Sequence, residues 1–169
     1  ALLEDGHENV IAAVAPAQRG RNTVMGVAVA ELSTGSFTVQ ECDPLDLPDV
    51  LARIAPAELL TPEDDSEDDP AVPSALAEQI GAAITRRPGW NFRLEDAEEL
   101  LRTHYGVASL EGFGLAPDDP VLPAAGSLLR YLLETQAPQE DVRSGKLSHF
   151  RPPIRLRNEA YMALDIATL

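Results

Sequence analysis

Asn9-Val-Ile-Ala-Ala-Val-Ala15 is an almost continuous apolar run closed by Pro16. A short run without polar alternation reads as a β-strand buried on both faces. Gln18–Asn22 is polar and contains a glycine, so it reads as a turn. Two further β-rich runs follow, Val24–Leu32 and Ser36–Glu41, around Ser33-Thr34-Gly35. That pattern predicts a hairpin in which Gly35 supplies a positive φ. In the third run Phe37 and Val39 alternate with Ser36, Thr38 and Gln40, which gives the strand one wet face. The chain therefore opens with three antiparallel strands.

Downstream the apolar period changes. Asp46 is placed to cap a helix in which Leu47, Val50, Leu51 and Ile54 share one face, and Pro56 stops it. Ala57–Leu60 reads as a strand, and a strand reached through a helix is expected parallel to its neighbour. Thr61–Pro73 carries Glu63, Asp64, Asp65, Glu67, Asp68 and Asp69 with three prolines, a solvated loop. It lacks the glycine turn and alternate ligand spacing of a calcium loop. Ser74–Ala83 reads as a helix with Leu76 and Ile80 inward, and Ile84–Phe92 as an irregular extended segment at the sheet edge. Glu95–Tyr105 is a helix with Ala97, Leu100, Leu101 and His104 on one stripe, stopped by Gly106. Asp119-Pro120 has the form of a helix start, after which Val121, Ala124, Ala125, Leu128, Leu129, Leu132 and Leu133 keep helical spacing to about Gln136. The fold class expected is α/β: a ribonuclease-H-like mixed sheet, with antiparallel strands 1–3 followed by parallel strands, flanking helices and a long C-terminal helix. Residues 1–137 are expected to form this domain. Residues 138–169 are expected to be a linker leading into another unit, the whole being cut from a longer protein.

Charge narrows the function classes. Thirteen Lys+Arg against 28 Asp+Glu leave a formal net charge of −15. Binding to DNA backbone or anionic lipid needs clustered cations, so neither is expected of this piece alone. The 44% apolar and 24% charged residues are those of a globular chain. The sequence holds no apolar run long enough to span a membrane and one cysteine, Cys42. A disulfide framework or a cysteine-based zinc site is thereby excluded, and a reducing cytoplasm is the expected setting. Lys146 is the only lysine. The acidity fits either adaptation to salt or GC-rich codon usage joined to an acidic loop.

The tests for chemistry return little. Gly145-Lys146 is followed by Leu147, and Glu140 stands where a phosphate loop needs glycine. His7, His104 and His149 lack helical pairing for a metal. Cys42 lies between Glu41 and Asp43, which raise a thiol's pKa. Enzymes of the ribonuclease-H layout hold metal ions on carboxylates, the first on the opening strand. That strand has none here, and Glu31 and Glu41 at the ends of the next two could supply one side at most. A metal-dependent nuclease and a free-standing protein-interaction domain are the alternative functions. No catalytic, cofactor-binding or metal-binding residue is assigned.

Gly26-Val27-Ala28 through Leu32-Ser33-Thr34-Gly35-Ser36-Phe37 resembles a stretch of the bacterial mismatch-repair proteins of the MutS family. So do Pro56–Leu60, Tyr105–Val107, Leu110–Leu115, Ala124–Leu132 with Thr135-Gln136, and Met162–Asp165 with Thr168, in the same order. Glu31 stands where that family usually has Asp, and the acidic loop is longer than typical. The resemblance implies a connector domain with the start of a helical core, in a protein that binds mismatched DNA as a homodimer and hydrolyses ATP with Mg2+. The mismatch reader and the ATPase would lie outside this chain. The partners so implied are the protein's other domains and a MutL-type protein. A helix-and-turn face of Glu95, Glu98, Glu99, Arg102 and Thr103 is the candidate contact surface.

Overall fold

Strand β1 (Val10–Arg19) is buried without interruption over Ile11–Ala15 because it has a strand on each side and a layer on each face. The computed structural model describes residues 9–63, 72, 74–136 and 150–157. β1 pairs antiparallel with β2 (Asn22–Glu31), which pairs antiparallel with β3 (Ser36–Cys42). On its other side β1 pairs in parallel with β4 (Glu58–Pro62), and β4 with β5 (Ala83–Arg87). A two-residue strand β6 (Ile154–Arg155) lies parallel to β3, so the sheet order is β5-β4-β1-β2-β3-β6. β2 alone runs against the rest, which is the mixed ribonuclease-H-like layout.

Among the described residues, four α-helices cover the two faces. On one side lie α1 (Leu47–Ile54) and α2 (Ser74–Ile80), closing a core of Ala12, Val14, Met25, Val27, Cys42, Leu51 and Leu59. On the other lie α3 (Leu94–Tyr105) and α4 (Leu122–Thr135), over Ile11, Ala13, Ala28, Ala30, Phe37 and Leu60. Leu122, Leu128, Leu129 and Leu132 of α4 are fully buried, each worth about 1.5–3 kcal/mol of apolar transfer.

Two close approaches depend on glycine. A Cβ on Gly26 would stand 2.5 Å from the Pro120 carbonyl oxygen, so β2 can pass beneath the start of α4 only without one. A Cβ on Gly126 would stand 2.3 Å from that of Ala97, where α4 crosses α3.

Several expectations are corrected. β1 runs through Pro16 to Arg19. Leu32 N–H donates to Asn9 O, which sets odd-numbered residues of β1 to bond β2 and turns Pro16 toward the β4 side. There β4 has already ended its pairing at Ala13, so the missing N–H costs no ladder bond. Asp43, not Asp46, supplies a cap: its carboxylate accepts from Leu45 N–H and opens a 3-10 turn, Pro44–Asp46, ahead of α1. α2 ends at Ile80. Ala83–Arg87, within the segment expected to be irregular, is a regular parallel strand, followed by a 3-10 turn over Gly89–Phe92. α4 begins at Leu122; Asp119 precedes it with its Oδ1 accepting from Val121 N–H.

Residues 150–157 sit on the sheet. Phe150 is buried and stacks on Phe37 with centroids 4.8 Å apart. Arg151 N–H donates to Gly35 O, and Leu156 N–H to Val39 O. Residues 64–71, 137–149 and 158–169 lie outside the described residues, and with them most of the acidic loop, Lys146, His149 and the last block of family resemblance.

Candidate functional site

The five candidate contact residues are brought together by α3. Glu95, Glu98, Glu99, Arg102 and Thr103 follow helical spacing and occupy its outward stripe, while Ala97 and Leu101 face the core. Glu95, Glu99 and Thr103 are exposed; Glu98 and Arg102 are half-buried. Glu98 Oε1 lies 3.7 Å from Arg102 Nε, an i,i+4 pair worth a few tenths of a kcal/mol. Three carboxylates at 95, 98 and 99 make the first half of the stripe acidic, which favours a cationic partner surface.

The carboxylates named for a metal site do not meet. Glu31 pairs with Ser36 and Glu41 with Gly26 on the same ladder, five positions and about 17 Å apart. Glu31 instead closes the β2–β3 hairpin. Its carboxylate accepts from Ser33 N–H and Oγ (3.2 and 2.6 Å) and from Thr34 N–H and Oγ1 (3.0 and 2.6 Å). Those bonds, Ser33's foremost and Thr34's next, hold its pKa below the ordinary glutamate value. Gly35 at φ +73 completes the turn.

Glu41 is held by two arginines, Arg19 and Arg155. The hydrogen bond from Arg19 is the largest cause of its lowered pKa, with burial opposing and Arg155 adding. Arg155 also donates to the buried Asp119 at 2.8 Å. One guanidinium thus ties β6, β3 and the loop before α4. Beside it lies an open depression of about 730 Å3 lined by Arg19, Thr23, Glu41, Arg155 and Arg157 among others.

Cys42 is buried and its thiol is pushed up to about 11, first by burial and then by Asp46 and Asp43. His104 meets Tyr105 edge-on at 4.7 Å. Among the described residues no group of His, Cys, Asp and Glu is arranged to hold a metal ion, and no helix is long and apolar enough to cross a membrane.

Two polar groupings have no local sequence signal. Glu58 Oε2 accepts from Thr85 Oγ1 and from Tyr131 Oη, both at 2.6 Å, while Arg87 lies 5.2 Å from the Tyr131 ring centre and pairs with Glu134 at 2.5 Å. Burial, then Glu58, pushes the Tyr131 phenol up to about 12. Trp90 is 47% exposed, with the Arg130 guanidinium 5.0 Å from its ring centre.

Residues 9–151 match the family MutS domain II. The chain belongs to that family. Similar proteins include the DNA mismatch repair proteins MutS of Chlorobaculum tepidum, 32% identical over 169 residues, and of Chlorobium limicola, 34% identical over 167. That of Rhodopirellula baltica is 36% identical over 184 residues. Each alignment covers 99% of this chain but 18–19% of the relative, so this MutS domain II chain spans under a fifth of their length. The match joins the opening hairpins, the parallel strands and the α3–α4 pair into one MutS connector unit, and it reaches Arg151 at the start of the β6 segment.

Proposed function

We propose that this MutS domain II is a non-catalytic coupling module: a rigid body through which a longer mismatch-repair protein transmits conformational change. The observation that carries the reading is the path of the chain. β1 and β6 run in the same direction in one sheet, three strand steps apart through β2 and β3. The polypeptide therefore enters the sheet at Val10 and runs out of it along β6, whose Arg155 is level with Ala13 through Val39 and Ala28, about 14 Å to the side. A packed sheet transmits displacement between those points with little loss, because close-packed interiors have low compressibility. On this reading the connector occupies the first part of the chain with residues 150–157 as its sheet edge, and the chain then passes into a helical core. ATP and Mg2+, mismatched DNA and the homodimer contact belong to parts of the longer cytoplasmic protein outside this chain. The α3 stripe is the surface offered to a MutL-type protein, its acidic half facing cationic groups.

In the full-length protein, weakening the β6 clasp with Phe150→Ala and Arg155→Ala is expected to lower mismatch-stimulated ATP hydrolysis at least about tenfold while ATP affinity stays within about twofold. Unchanged stimulation overturns the coupling role. Glu95→Lys with Glu99→Lys is expected to weaken MutL binding at least about tenfold. Unchanged binding removes the stripe from the contact. Metal-dependent cleavage of nucleic acid by this chain, abolished by Glu31→Ala, would replace the whole reading with a nuclease.

A further inference from the structure

We propose that the outer edge of β5, with Trp90 beside it, is a docking surface for an acidic, extended segment of a partner protein. Among the described residues β5 is the last strand of the sheet on its side. Ala83 N–H donates to Ala57 O and Glu63 N–H donates to Arg87 O. Odd-numbered residues of β5 therefore bond inward to β4, and Ile84 and Arg86 turn their N–H and C=O outward. An edge of that kind accepts an added strand. With two residues to pair, the backbone supplies few bonds, and side-chain anchors must supply the rest.

Those anchors stand on both faces of the edge. Thr85 and Arg87 point to the α4 face, where Arg87 meets Tyr131 and Glu134. The alternation puts Arg86 on the opposite face, where its Nη1 donates to Thr61 Oγ1. Pro88 and Gly89 then lead to Trp90, whose ring carries the Arg130 guanidinium and is nearly half exposed. Arg93, exposed, follows three residues on. Exposed tryptophan flanked by arginine is the composition of a binding hot spot.

Charge selects the occupant. The chain carries −15, yet Arg86, Arg93 and Arg130 form no ion pair among the described residues. A second copy would set Arg86 near Arg86, so self-pairing through this edge is disfavoured. Nucleic acid has no peptide backbone to pair with the outward N–H and C=O groups of Ile84 and Arg86. A strand alternating carboxylates with β-branched apolar residues satisfies the edge, the guanidiniums and the indole together. This surface is separate from the α3 stripe, whose acidic half suits a partner of opposite charge.

Trp90 is the only tryptophan in the chain, so its fluorescence reports this site alone. The probe is a short capped peptide alternating Asp with Val, compared with its Lys–Val counterpart and with single-stranded oligothymidine. A saturable change in Trp90 emission is expected with the Asp peptide. Affinity should fall at least about tenfold in Arg93→Ala/Arg130→Ala, and further with added salt. Slowed hydrogen exchange at the Ile84 and Arg86 amides is expected in the same complex, and it also reads binding in Trp90→Phe. No saturable change, equal binding of the Lys peptide, unaltered affinity in the folded double variant, or tighter binding of the oligonucleotide each overturns the proposal.

Discussion

Gly126 of α4 lies so close to Ala97 of α3 that a Cβ on Gly126 would stand 2.3 Å from the Ala97 Cβ and 2.6 Å from its Cα. Glycine inside a helix ordinarily costs up to about 1 kcal/mol relative to alanine. Here overlap outweighs propensity. Gly126→Ala is expected to destabilise the chain by about 1–3 kcal/mol, read as a lower urea midpoint at unchanged slope. Adding Ala97→Gly removes the opposing methyl and should restore part of the loss. A stabilised single variant would show that the helices separate at little cost.

The hairpin latch at Glu31 makes a pH prediction. Its folded pKa lies below the ordinary glutamate value because Ser33 and Thr34 donate to the carboxylate. Its contribution is therefore fully present above the unfolded pKa of about 4.3 and is lost as pH falls through the lower folded value. Glu31→Ala is expected to cost about 1 kcal/mol at pH 7 and less at pH 2. Paired unfolding curves at the two pH values check this, and an equal loss at both would refute it.

Arg155 joins β6 to Glu41 and to the buried Asp119. Arg155→Ala leaves Asp119 without that charge partner and should cost about 1–3 kcal/mol. Hydrogen exchange at the Arg151 and Leu156 amides, which bond Gly35 O and Val39 O, should accelerate more than exchange in β1. Glu41 is also held below its ordinary pKa. Acid should therefore loosen the same segment as pH drops through that lowered value, with the clasp intact above the unfolded pKa. Uniform acceleration across the sheet would show that β6 has no separate opening.

Cys42, with its thiol raised to about 11 by burial and by Asp46 and Asp43, should resist alkylation in the folded chain at pH 8. A rate at least about a hundredfold below that of a free cysteine is expected, rising to the free value in denaturant. Because the folded pKa is raised for an acid, ionisation favours the unfolded state. Stability should fall as pH rises from about 8.5 toward 11, and Cys42→Ser should flatten that limb.

The opening strands, the helix periods and the family resemblance were legible because each rests on residues close in sequence. Val10–Ala15 needs two strand neighbours and two covering layers, and Phe37/Val39 against Ser36/Thr38 sets the face of β3. Misplacements fell where a neighbour decides: Pro16 continues a strand because β4 stops short of it, and β5 becomes regular because β4 offers it an edge. The α3 stripe could be read from spacing. Trp90 with Arg130, or Glu58 with Tyr131, could not, since the partners stand 40 and 73 residues apart.

The one-dimensional order of side chains thus determined period, burial and charge: that the opening segments are strands, which faces are apolar, and that the body is acidic. Only the folded chain decided who meets whom. The β6 strand exists because Phe150 finds Phe37 and Arg155 finds Glu41, 114 residues away. Local conformational preference is a property of neighbours along the backbone, whereas an ion pair or a sheet edge is a property of space.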